Sequence, residues 1–290
     1  MKNKLRRMRL TGRDVEIVEW VAEVGVATRW QIQGLFFTRG GRSRCQHRLT
    51  GLVRNRFLDR MPGRPVSQPD VYRLSRKSVN GLRLLRARGI ELRGGLRLVS
   101  PARLRHTLEV ANCRVQLIRA CAETGVRLAG WLEGDHLASV VGSGAGLIPD
   151  AFAQLSRIDA GGEERKSSFC IEVERSTKSD RLLREKFRRY GQFYYGGGFT
   201  ERFQVRALRV LFLIASDYGI DPERRIAHLF NVAQEAGVTF LLFAPLDAFL
   251  ALDPARALVS DIWKRPGHDR PVAIFGPESV EADSDRTRGE

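Results

Sequence analysis

The 290-residue chain has only four cysteines, Cys45, Cys113, Cys121 and Cys170, and no CxxC pair among them. Without closely spaced thiols, neither a zinc site nor a disulfide framework is signalled, and the four read as buried, reduced thiols of a cytoplasmic protein. Long apolar runs are missing as well, since no stretch approaches the ~18 residues of a spanning helix. The opening MKNKLRRMRL lacks the apolar core of a signal peptide and reads as a solvated, partly disordered arm. No membrane partner is expected.

The third scarcity is acid in the first part of the chain. Residues 1–105 hold 25 lysines and arginines against 7 acids, while residues 106–290 hold 24 against 26, so the net charge of +16 belongs entirely to the front. A segment that basic seeks a polyanion, and double-stranded DNA fits best, because neutralised phosphates release counterions on binding. RNA fits less well, since the basic segment lacks the stacked aromatics of single-strand binders. An apolar content of 43% and a charged content of 28% are ordinary for a globular chain, and the length suits two modest domains.

Three helices are expected in the front part. Thr11 precedes a segment with Val15, Val18, Val21, Ala22 and Val24 at helical spacing and acids in its first turn, ending at Gly25. Thr28 caps a second, in which Trp30, Ile32, Leu35 and Phe36 are expected to face one core, stopped by the Arg39-Gly40-Gly41 turn. A third, from about Ser43 to Arg56, has an apolar stripe of Cys45, Leu49, Leu52 and Val53. Its other face carries Arg42, Arg44, Gln46, His47, Arg48 and Arg54. The following FLDRMPGRPVSQPDVYRLS has strand-like ends around a Pro/Gly tip, which completes the pattern of a helix-turn-helix with a wing. Arg44, Gln46, His47 and Arg48 are then expected near base edges, and Arg39, Arg42, Arg60 and Arg64 near phosphates. A further helix, from about Arg76 to Arg88, is expected to support the wing or a homodimer contact, and Gly94, Gly95 and Pro101 mark a linker.

From residue 106 strands alternate with helices, which argues for an α/β domain with a mixed sheet. The first of these helices, from His106 to about Glu123, is apolar on too many sides to be a surface helix. The decisive stretch is Leu147 to Tyr194. It runs LIPDAFAQL, a polar turn, SFCIEVERS and the amphipathic RLLREKFRRYGQFYY. Asp150, Glu172 and Glu174 fall on two short apolar strands, and Lys186 and Tyr190, four apart, share one helix face. Carboxylates at strand ends beside a lysine are what a divalent-metal phosphodiester site needs. Alternatives stand beside that reading. Asp150 and Glu172 can instead pair with Arg157 or Arg175, Lys186 can snorkel from an apolar stripe, and Lys178 can be a solvated turn residue. Glu109, on the preceding helix, is a further carboxylate or a salt-bridge partner.

These blocks in this order carry a resemblance. TGRDVEIV in the front, LRHTLEVANCRV, IPDAF, then FCIEVERSTKS followed by KFRRYGQFYY resemble the replication-relaxation family of bacterial plasmids and integrative elements, over roughly residues 10–245. The Pro149-Asp150 and Glu172-Val173-Glu174 pair resembles the PD-(D/E)XK restriction-endonuclease-like fold. The resemblance implies a winged helix-turn-helix over 1–100, a nuclease-like α/β domain over 101–265 and a disordered tail over 266–290. It implies a cytoplasmic, plasmid- or nucleoid-associated protein acting in replication, relaxation or mobilisation, beside a relaxase or replication initiator. Asp150 and Glu172 take the positions of Mg²⁺ ligands, and Asp150, Glu172, Glu174, Lys186 and Tyr190 those of a catalytic group. Glu174 stands where a working nuclease usually carries lysine, so the charge role passes to Lys186. The alternative is a non-catalytic regulator or replication accessory factor whose second domain is a degenerate docking scaffold.

Overall fold

The computed structural model describes residues 8–37, 41–61, 68–90, 99–142, 146–159, 161–175, 179–205, 207–216, 219 and 221–275. The basic arm 1–7, Arg39, Gly40, Arg64 with most of the wing tip, Gly94, Gly95, Lys178 and the tail from 276 lie outside the described residues. The chain divides into two compact units, Met1–Val115 and Gln116–Glu290. No described helix is long and apolar enough to cross a membrane.

The first unit begins with α1 (Gly12–Val24), whose start is fixed by a reciprocal box. The Thr11 hydroxyl accepts from the Asp14 N–H, and the Asp14 carboxylate accepts from the Thr11 N–H. β1 (Ala27–Thr28) leads into α2 (Arg29–Phe36), which opens on a second such box, between Thr28 and Gln31. Then come α3 (Arg42–Arg54), β2 (Leu58–Arg60), β3 (Val71–Leu74) and α4 (Asn80–Ala87). The three strands form an antiparallel sheet in the order β1-β3-β2, with Thr28 opposite Val71 and Leu58 opposite Leu74.

Ile17, Val18, Val21, Ile32, Cys45, Leu49 and Leu52 fill the core of this unit. Trp30 does not join them. It is 59% exposed, and the inward position goes to Gln31, whose amide donates to the Leu108 carbonyl and to Asn112 Oδ1, both at 2.8 Å. The polar residue is inside because it has partners there for its donors and acceptor.

The second unit is built on a mixed five-stranded sheet, as expected. The long helix α5 (Pro101–Thr124) precedes β4 (Arg127–Glu133), α6 (Gly134–Val141), β5 (Ala151–Ile158) and β6 (Glu164–Glu174). After them come α7 (Asp180–Tyr195), α8 (Gly198–Phe203), β7 (Arg209–Ile214), α9 (Pro222–Glu235), β8 (Leu241–Pro245) and α10 (Leu246–Ala251). The sheet order is β4-β5-β6-β7-β8, antiparallel across the first three strands and parallel across the last three.

Several boundaries differ from those expected. The division between the units falls inside α5, not at residue 100, since Leu108, Asn112 and Arg114 make their polar contacts with residues of the first unit. α6 and α8 have no counterpart among the expected elements. α8 restarts at Gly198, where the Phe193 ring lies 2.9 Å from the site of any Cβ, so only glycine fits. The segment 266–275, expected to belong to the tail, is folded. Ile274 is fully buried and its carbonyl accepts from Arg209 at 2.8 Å, while the Phe275 N–H donates to Leu258 at 2.7 Å.

Asp14 sets a test of the first unit. Its carboxylate is fully buried and takes two hydrogen bonds from the Arg48 guanidinium. Burial raises its pKa, but the bonds from Arg48 and Thr11 outweigh that, and the net shift is downward. A depressed carboxylate contributes stability present above its unfolded pKa and lost as pH falls through the folded one. Arg48→Met keeps the stem and leaves the buried charge unanswered. Discounted for Arg48's partial exposure, it is expected to cost about 2–3 kcal/mol at pH 7. Urea denaturation at pH 7 and near pH 3 checks this, and the deficit should shrink at the lower pH.

Candidate functional site

Strand β6 alternates faces, so Cys170, Glu172 and Glu174 point the same way. Cys170 packs in a cluster with Leu183, Phe187 and Tyr190, which puts this face against α7. Two acids at the end of such a strand are therefore carried into an apolar interior, where a bare carboxylate is costly. Glu172 is 3% exposed and Glu174 4%.

Glu172 is answered from α7. Lys186 Nζ lies 2.7 Å from its Oε2, and the Tyr190 hydroxyl donates to its Oε1 at 2.5 Å. The two donors are one helical turn apart and grip the two oxygens of one carboxylate. The Lys186 ammonium also sits 5.3 Å from the centroid of Phe212, the residue opposite Glu172 on β7. Asp150 precedes the paired residues Ala151 and Ile171, which brings it level with Glu172 across the β5–β6 ladder. Its carboxylate accepts from the Val173 N–H at 2.8 Å, and its own N–H donates to the Ile171 carbonyl at 3.1 Å. Arg157 is turned to the Phe275 ring, and Lys186 is paired with Glu172.

The electrostatics follow. Burial drives the Glu172 pKa up, Lys186 draws it down, Asp150 pushes it up again, and the net shift is upward. Burial weakens the Lys186 charge, but Glu172 foremost, then Asp150 and Glu174, more than restores it, so its pKa is raised. Tyr190 is held well above its usual range by burial and by the neighbouring Glu172 charge, and stays a donor. The Lys186 ammonium thus feels the charge of three carboxylates, Glu172, Asp150 and Glu174. Asp150, Glu172, Lys186 and Tyr190 are brought together by direct contacts or by mutual charge, and Glu174 joins them through its effect on Lys186.

A magnesium ion is commonly held by one or two carboxylates, with water and phosphate oxygens completing its shell. Asp150 and Glu172 fit that donor chemistry. They are hard oxygen ligands close enough to repel, and Asp150 is partly open to solvent. Among the described residues no group of three or more His, Cys, Asp or Glu is arranged to hold a metal, so an all-protein cage is not present there. Glu109 lies on α5 beside Arg105, at 3.3 Å, and forms part of the first unit.

The basic face of α3 is the second candidate surface. Arg42, Arg44, His47 and Arg54 are exposed on it, and Arg60 is exposed on β2. Arg42, Arg44 and Arg54 meet no acid among the described residues. Arg60 lies 3.9 Å from Asp70, and Gln46 accepts from Arg29 at 3.3 Å. Arg48, expected near base edges, is instead turned inward to Asp14 and to the Arg9 carbonyl. Sequence spacing places it on the outer face, and only the buried Asp14 explains why it folds back.

Compared with known proteins, residues 18–205 match the family described as replication-relaxation. No curated protein and no solved structure matches the chain.

Lys186→Met tests the geometry around Glu172. It leaves a buried carboxylate with Tyr190 alone, so the Glu172 pKa should rise further. A carboxyl whose folded pKa is raised favours the fold below its unfolded pKa, and that contribution is lost as pH rises through the folded one. The variant should therefore be about 3 kcal/mol less stable at pH 8 and lose much of that deficit near pH 5. Denaturation midpoints across pH 5–8 read it out, and a pH-independent deficit would contradict the pairing.

Proposed function

We propose, from the premise that the chain belongs to the replication-relaxation family, that it binds double-stranded DNA and acts in the replication or relaxation of a plasmid or similar mobile element. The observation that carries this reading is the exposed arginine face of α3, unpaired with acid among the described residues, in the part of the chain that holds the whole basic excess. The order α1, β1, α2, α3, β2, β3, with the short β1 added to the hairpin, supports a winged helix-turn-helix in which α3 enters the major groove. Arg44, Gln46 and His47 then face base edges, and Arg42, Arg54 and Arg60 face phosphates. Arg48 holds the helix in place by its bond to Asp14.

The second unit is read as a PD-(D/E)XK-like domain. The run α5, β4, α6, β5, β6, α7, α8, β7 supports it, with Asp150 ahead of β5 and Glu172 and Glu174 at the end of β6. A hydrolytic role is a second reading, favoured by the convergence of Asp150 and Glu172 on the Lys186 ammonium. Asp150 and Glu172 would hold the Mg²⁺ ion, which when bound neutralises phosphate charge and makes bound water more acidic. The chain's own part is positional. The Val173 N–H orients Asp150, Tyr190 fixes Glu172, and Lys186 sets a positive charge beside both. Without hydrolysis the same unit serves as a docking scaffold of a replication accessory factor.

Fluorescence anisotropy with labelled duplex DNA tests the first reading. Affinity should fall steeply with salt. Arg42→Ala should lower the salt slope by about 1, as loss of one phosphate contact does. Arg44→Ala should cost about 1–3 kcal/mol on the preferred sequence and less on others. Nicking of supercoiled DNA with Mg²⁺ or Mn²⁺ separates the other two. Activity lost in both Asp150→Ala and Lys186→Ala supports hydrolysis, whereas salt-dependent binding without nicking by the wild type leaves the accessory factor.

A further inference from the structure

The chain has four tryptophans, and they are not placed alike. Trp20 and Trp263 are buried and Trp131 is partly covered, but Trp30 stands 59% exposed at the start of α2. A tryptophan packed in a core removes a large apolar surface from water, whereas this one leaves most of it wet.

Its position is fixed by its neighbour. The Arg29 backbone N–H donates to the Asp70 carbonyl at 2.9 Å, at the entrance to β3, and the Arg29 guanidinium donates to Gln46 on α3 at 3.3 Å. The residue before Trp30 is thus tied to the hairpin on one side and to the basic helix on the other. Thr28 and Gln31, on either side of that pair, are locked to each other by the capping box. Trp30 projects from a rigid point where the two elements of the basic surface meet. Arg42 and Arg44 on α3 and Arg60 on β2 supply charge on those two elements.

Resting on the DNA-binding reading above, we infer that Trp30 is a stacking platform for an unpaired base, so that the preferred ligand is duplex DNA bordering a single-stranded segment. Charge selects the polyanion, since the unit around the indole carries the chain's basic excess. The indole selects within that class. Bases inside an intact duplex already stack on their neighbours and offer only their edges. A base at the end of a duplex or in a single strand offers an open face, and any of the four bases suits an aromatic platform. The indole N–H adds a donor for a nearby phosphate.

The experiment compares anisotropy binding of a blunt duplex with that of the same duplex carrying a short single-stranded extension, with 2-aminopurine at the first unpaired position. The full-length protein is used, in wild-type, Trp30→Phe, Trp30→Ala and Arg44→Ala forms, each checked for an unchanged thermal midpoint. The wild type should prefer the extended duplex by roughly tenfold and quench the aminopurine emission, as one stacked base allows. Trp30→Phe should retain part of both effects. Trp30→Ala should lose both while binding the blunt duplex as the wild type does.

If Trp30→Ala keeps the wild-type preference and quenching, the inference is overturned. It is also overturned if gel filtration shows the wild type dimeric and Trp30→Ala monomeric with DNA affinity unchanged, because the indole then belongs to a contact between copies. Binding that depends on Arg44 but not on Trp30 removes this inference alone. A folded wild type that binds neither DNA removes the DNA-binding reading with it.

Discussion

A carboxylate buried on the central strand of a sheet has to be answered, and the way Glu172 is answered orders the second unit. At 3% exposure it has almost no water to solvate it, so both of its oxygens are taken up by α7, through Lys186 and Tyr190. This fixes the rotation of α7 on the sheet, because two residues four apart must reach one group while Leu183, Phe187 and Tyr190 still enter the core. Stability alone does not explain the arrangement. A buried ion pair seldom holds a fold better than apolar side chains of the same volume. The neighbouring Asp150, pressed against Glu172 by the β5–β6 ladder, makes the pairing harder still. The rotation of α7 is thus set by a polar group on the sheet as much as by the apolar residues around it.

Much of this is legible in the amino-acid sequence itself. The box at Thr11, the Pro222 that opens α9, the alternation along FCIEVE and the four-residue step from Lys186 to Tyr190 are local patterns whose physical meaning does not depend on distant contacts. What escapes a sequence reading depends on distant contacts. Trp30 reads as a core residue because an indole is more apolar than an amide. Gln31 takes the interior because Leu108 and Asn112, more than 75 positions away in sequence, satisfy its side chain. The folding of residues 266–275 is hidden for the same reason, since Ile274 and Phe275 are held by Arg209 and Leu258. The Lys186–Glu172 pair is one of two arrangements the sequence allows, and nothing local decides between a snorkelling lysine and an inward one.

Arginine content is also a poorer guide to a DNA surface than it first seems. Arg48 counts toward the basic excess of residues 1–105, yet it is clamped on Asp14, and Arg114, just beyond that stretch, is buried with one amine 2.7 Å from Glu23 and its guanidinium over Trp20. Such side chains stabilise the unit and contribute to its long-range field, but they are not available to grip a phosphate. Under the proposed function the footprint is better sought among arginines that are exposed and meet no acid among the described residues, such as Arg42, Arg44 and Arg54 on α3.

The charge difference between the halves then constrains how the two units can work on one substrate. Residues 106–290 carry 24 basic side chains against 26 acidic ones, so long-range attraction does little to bring that part of the chain to a polyanion. Under the proposed function, an acidic site there would gain its access to phosphate from the binding energy of the other unit, to which it is covalently joined, through the raised local concentration that such a tether supplies. A substitution on the arginine face that weakens binding should for that reason weaken any phosphate chemistry at Glu172 as well, through KM and not through kcat. A lesion at Lys186 should act in the opposite sense, leaving binding alone. On that reading a basic front and a near-neutral second part divide the work between holding DNA and acting on it.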